Sequence, residues 1–242
     1  MSFFGTVAGK FVNERRLEII SNNIANALTA GFKASKAVFG MVAEAEDPTE
    51  GRVQLKNAYV NLSDTYIDFS DAPIVDSGAP LDFAILGKGF FVVSTPNGEQ
   101  YTRNGQFTLD REGRLVTMSG DQVMGSGGGI TINVTDGKEI LVENDGSIFL
   151  GNDLIDTIKI VEFENMRALQ PVGRGYFNNA GDEAGTTPAV FTVKQGSYEA
   201  SNVNVMQEMI EMISTMRAYE SYTKVDQMFS DANGKLVELG KF

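Results

Sequence analysis

LDFAILGKGFFVVSTPNGEQYTRNGQFTLDREGRLVTMSGDQVMG, residues 81–125, carries apolar residues at a period of two and breaks at turn dipeptides. Leu81, Phe83 and Ile85 alternate, Phe90 to Val93 run continuously apolar, and Asn97-Gly98 follows as a two-residue hairpin turn. Working outward, Asn104-Gly105, Glu112-Gly113, Asp136-Gly137 and Asp145-Gly146 mark further turns between short apolar pairs such as Leu115/Met118, Ile130/Ile132 and Ile148/Leu150. Turns at that spacing predict a sandwich, barrel or meander of short antiparallel strands. Ile158, Ile160, Phe163, Phe191 and Val193 extend the pattern, residues 173–188 read as loop, and the whole predicts a β domain over 77–196.

Both ends read differently. Phe4, Val7, Phe11, Leu17, Ile20, Ile24 and Leu28 recur at heptad-like spacing, and so do Val205, Met209, Met212, Met216 and Tyr219, followed after a slip by Val225 and Phe229. The expected fold class is α+β: long terminal helices, in segments 1–36 and 197–242, form a coiled-coil-like core domain around the central antiparallel β domain. Residues 37–76 are expected to be an extended connecting arm, with Pro48 and Gly51 as breakers and Tyr59, Tyr66, Ile67 and Phe69 too apolar for a free linker. Segment 1–36 carries a net charge of +3 and segment 197–242 of −3, a complementarity that suits mutual packing. Asn23 and Asn26, poor helix-interior residues, read either as fraying or as side-chain hydrogen bonding across a helix contact.

Composition removes most chemistry. The 242 residues include no His, no Cys and no Trp, which excludes thiol nucleophiles, Ser-His-Asp arrangements and His or Cys metal sites. A net charge of −12 has the wrong sign for holding phosphate backbones, so no nucleic-acid partner is expected. No cleavable signal peptide and no membrane-spanning run are visible. The glycines of GSGGG, 125–129, lead into a strand without a following Lys-Ser or Lys-Thr, so they read as a hairpin loop rather than a phosphate cradle. Asp82, Asp110, Glu139, Glu143 and Asp145 supply enough carboxylates for a glycosidase pair, but their places beside glycines and at strand ends suit solvated turns. The acidic EAEDPTE at 44–50 lacks calcium-loop spacing. Neither a catalytic residue nor a cofactor is expected.

SNNIANALTAGFK at 21–33 resembles the N-terminal motif of the bacterial flagellar rod and hook proteins, and SNVNVMQEMIEMI with RAYESYTKVDQM, 201–228, resembles their C-terminal motif. The stretch 81–125 is similar to the family's central segment. TYIDFSDAPIVDSGAPLD at 65–82 and the short chain resemble a proximal-rod member, with a distal-rod member as the alternative. Leu28, Ala30 and Tyr198 depart from the commoner residues of those motifs. The resemblance implies a structural subunit of the basal-body rod, exported largely unfolded through the flagellar type III apparatus and polymerising beneath a rod cap. Its partners would be other rod subunits and copies of itself, with terminal helices forming the inner tube of a periplasm-crossing drive shaft. The helix seams, with Asn23 and Asn26, are then the expected subunit interface. A carboxylate-based hydrolase and a β-sandwich binding module remain as other readings.

Overall fold

The computed structural model of the chain describes residues 3–45, 55–133, 138–181, 185, 186, 188 and 190–239. Two compact units emerge, one of Met1–Ala25, Ala34–Asp68 and Val203–Phe242, the other of Asn26–Lys33 and Phe69–Asn202.

In the first unit, helix α1 (Phe3–Ala25) packs on helix α2 (Val205–Leu239) and on a ribbon of strands β1 (Ser35–Ala45) and β2 (Leu55–Ile67). The ribbon is antiparallel, running from the pair Ser35↔Ile67 to Ala45↔Leu55 with register shifts at Val38/Phe39 and Glu44/Ala45. Asn204 caps α2: its side-chain oxygen accepts from Gln207 N at 3.2 Å, and its carbonyl accepts from Glu208 N at 3.0 Å. The helices run antiparallel, with Gly9 against Tyr222, Lys10 over the Tyr219 ring at 5.7 Å, and Arg16 at 3.6 Å from Glu211. A Cβ on Gly9 would stand 2.7 Å from Tyr222 Cε1, so the missing side chain lets the helices close there.

The expected coiled-coil-like core is corrected by this arrangement. The chain is mostly strand, with two helices and no long helical core among the described residues. The α1 residues that meet α2 include Gly9, Lys10, Arg16 and Asn23, none of them an apolar knob. Such a seam cannot bury the apolar knobs a coiled coil needs. Residues 37–45 and 55–67, within the expected extended arm, belong to the ribbon that packs on α1.

The second unit is antiparallel throughout. Its strands are β3 (Ile74–Asp76), β4 (Phe83–Gly87), β5 (Phe90–Thr95), β6 (Gly98–Thr102), β7 (Phe107–Leu109), β8 (Leu115–Thr117), β9 (Gln122–Gly125) and β10 (Gly128–Gly129). They continue with β11 (Ile140–Val142), β12 (Ser147–Leu150), β13 (Asp153–Thr157), β14 (Ile160–Val161), β15 (Leu169–Gly173), β16 (Tyr176–Asn179), β17 (Phe191–Gln195) and β18 (Ser197–Glu199). The main sheet runs β15-β16-β6-β5-β9-β8-β7, with β10 on β9 and β14 on β5; β11-β12-β13, β17-β4 and β18-β3 form smaller sheets.

β5 is continuously apolar because both its faces are covered. Phe91 and Val93 enter a core with Phe83, Leu115, Val123, Ile148 and Val193, while Phe90 lies edge-on to Phe69 and Phe177 at ring distances of 5.4 and 5.9 Å. The β5–β6 hairpin forms where the sequence predicts, one residue early: Thr95 pairs with Gly98, so Pro96 and Asn97 make the loop. GSGGG is the β9–β10 hairpin. Tyr176–Asn179, within the expected loop 173–188, is a strand that pairs with β6. The expected turn at Asp136-Gly137 lies outside the described residues.

Candidate functional site

In the first unit, α2 presents two faces. Glu208, Met212, Thr215, Tyr219, Tyr222, Val225 and Phe229 are buried or half-buried. The opposite face bears Met206, Met209, Ile210, Ile213 and Met216, each between 48% and 68% exposed. Spaced at three and four residues, they make a continuous apolar stripe on one side of the helix.

The sequence-predicted seam divides between these faces. Met212, Tyr219, Val225 and Phe229 are half-buried, whereas Val205, Met209 and Met216 are exposed. On α1, Ile20 and Asn23 are buried, Val7 and Ile24 are half-buried, and Phe11 is 66% exposed; the side chain of Phe4 lies outside the described residues. Heptad spacing missed Met206, Ile210 and Ile213, although scoring the same helix at 3.6 residues per turn would have found them.

Asn23 settles its two readings in favour of hydrogen bonding. Its amide nitrogen donates to Ser35 O at 2.9 Å and to Glu208 Oε1 at 3.3 Å, while its amide oxygen accepts from Ser35 N at 2.9 Å. One side chain thus starts β1 and reaches α2. Burial pushes the Glu208 carboxyl above its ordinary range, against the Asn23 hydrogen bond and Lys36, and with the help of Glu211. The hydroxyls of Thr6 and Thr215 are buried without a partner among the described residues. The inner face of α2 thus mixes Met212, Val225 and Phe229 with polar groups, while Met206, Ile210 and Ile213 face outward.

In the second unit, Asn26 ends the first helix by turning the chain: its carbonyl accepts from Thr29 N at 3.0 Å. Gly31 follows at φ +66°, and a Cβ there would fall 2.2 Å from Asn104 N, so only glycine allows the two backbones to meet. That turn delivers Lys33, which is fully buried and sits 2.7 Å from Glu199 Oε1, with Arg103 at 3.5 Å from the other carboxylate oxygen. The sequence motif at 21–33 contains Lys33 but assigns it no role, since nothing near it in sequence marks it as buried.

Three family descriptions match in chain order: "Flagella basal body rod protein" over residues 13–33, "Flagellar hook protein FlgE/F/G D1 domain" over 84–150, and "Flagellar basal body rod FlgEFG protein C-terminal" over 194–239. The chain is 34% identical to the flagellar basal-body rod protein FlgF of Caulobacter vibrioides, with 94% of this chain and 93% of that protein covered. It is 33% identical to FlgF of Rhizobium meliloti, over 92% and 89% of the two chains. It is also 34% identical to the flagellar basal-body rod protein FlgG of Buchnera aphidicola subsp. Acyrthosiphon pisum, over 86% and 87%. The fold and its outward-facing helix thus belong to a protein built for assembly. The chain is a member of the flagellar basal-body rod protein family, FlgF-like.

Proposed function

We propose that this chain is a structural subunit of the proximal flagellar rod and that it polymerises through the apolar stripe of α2. As a rod-family member it is a structural component that assembles with other rod components in the flagellar basal body. The single observation that carries the assembly surface is the row Met206, Met209, Ile210, Ile213 and Met216, turned away from α1. In water this row wastes burial of about 1.5–3 kcal/mol per large apolar side chain, a gain that a neighbouring subunit recovers. Repetition of one such heterologous contact around a screw axis builds a filament and needs no active site.

The proximal position is supported by the segment 65–82. Transit through the type III export apparatus, growth beneath a rod cap and passage through the periplasm complete the proposal, which assigns no catalysis to the chain. Met209→Asp tests it. The exposed position leaves the stability of the free chain within about 0.5 kcal/mol of the parent, whereas a carboxylate buried on assembly costs several kcal/mol per subunit. Secretion should persist while rod incorporation and swimming are lost. Glu112→Lys, in the exposed turn before β8, should swim normally. Normal swimming by the Met209 variant would refute the stripe as the assembly surface.

A further inference from the structure

The chain passes between its two units four times, after residues 25, 33, 68 and 202. Within the second unit, the segments at three of these passages converge on one buried ion cluster. Lys33 Nζ donates to Glu199 Oε1 at 2.7 Å and to Ser70 O at 2.6 Å. Ala72 N donates to the same carboxylate oxygen at 3.1 Å, and Gly31 N to the Glu199 carbonyl at 2.7 Å. Ala200 N donates to Pro73 O at 2.9 Å, Asn202 N to Phe32 O at 3.4 Å, and the Asn202 amide to Ser70 Oγ at 3.2 Å. Arg103 closes the cluster from the β side: it faces Glu199, donates to Gly87 O at 2.8 Å and lies over the Phe90 ring at 5.4 Å.

Almost no water reaches these groups, since the Lys33, Glu199 and Arg103 side chains are 0%, 3% and 5% exposed. A charge held there must keep its partner, and loss of Glu199 leaves Lys33 with only the Ser70 carbonyl and Arg103 with backbone carbonyls and the Asp71 charge.

We infer that Lys33, Glu199 and Arg103 form a clamp that binds segments 31–33, 70–73 and 199–202, at three of the four chain passages, into one cooperative unit, which opens as a whole and separately from the β core. Local opening in contiguous units below the global stability is a general property of folded domains, and here the unit is defined by a shared carboxylate rather than by contiguous sequence. Gly31 belongs to the device because its backbone carries the loop to Arg103 and Asn104.

Amide hydrogen exchange on the full chain tests the clamp. In the parent protein, Gly31, Ala72, Ala200 and Asn202 should exchange through one common opening constant, larger than that of Val93 and Val123. In Glu199→Gln this constant should rise by about a hundredfold, with Val93 and Val123 changed far less. Unrelated constants for the four amides, exchange of all four together with the core, or equal acceleration of clamp and core in the variant would each overturn the inference. Should Glu199→Gln fail to fold, the parent measurement decides, since a shared and separate opening is required there without any substitution.

Discussion

The two units of this chain place their exposed apolar residues differently. In the second, Phe83, Phe90, Phe91 and Leu115 are completely buried, and Lys33 and Arg103 are buried against Glu199, although Arg103 Nε and Glu199 Oε2 have no hydrogen-bond partner among the described residues. In the first, Thr6, Asn23 and Thr215 are buried while Met206, Ile210 and Ile213 face out. The second unit also displays Leu28, Met118, Leu154 and Val190, but on separate elements; the first displays its apolar residues as one row along a helix, and a contiguous row is what a partner covers. The ribbon sharpens the contrast, because a two-stranded sheet is marginal by itself and here leans on a helix.

Truncation should expose this difference most strongly. Phe91→Ala should cost about 3–5 kcal/mol in urea unfolding, since it opens a cavity among Phe83, Phe107 and Val193. Ile213→Ala removes an exposed side chain and should cost the free chain about 0.5 kcal/mol or less, although it weakens assembly. Equal losses in the free chain would mean that the stripe is already buried before any partner arrives.

Glu208 offers a smaller effect with a definite sign. Desolvation raises its folded carboxyl above the unfolded value of 4.5, so the folded state binds its proton more tightly. Stability contributed by this group therefore increases as pH falls through the folded value toward the unfolded one. Glu208→Gln should flatten that part of the profile relative to the parent and leave the Asn23 contact in place. A steeper profile in the variant would mean that the carboxylate is stabilised there, not desolvated.

The β hairpins were legible in the sequence because alternation and turn chemistry are local: Phe90 to Val93, the following turn and GSGGG all appear as strand or hairpin, with the first turn displaced by one residue. The family was legible too, in motifs at both ends and in the middle. What escaped depends on distance or phase. β1 and β2 pair across an intervening segment, and Tyr176–Asn179 pairs with distant β6 as well as with its neighbour β15. An α-helix drifts by about 20° per heptad against a 3.5-residue repeat, so the seam read from Val205 to Tyr219 straddles the border between the inward and outward faces. Lys33 could not be read as buried because its partner Glu199 stands 166 residues away.

The central claim is that the outward face of α2 is covered in the rod. Methionine oxidation by dilute peroxide, followed residue by residue in the free chain and in purified basal bodies, tests it most directly. In the free chain Met206, Met209 and Met216 should oxidise readily, as Met118 of the second unit should, since all four are exposed. On assembly the three α2 methionines should become protected. Oxidation of Met206, Met209 and Met216 at the same rate in basal bodies as in the free chain would contradict the account, because the stripe would then face solvent in the finished rod.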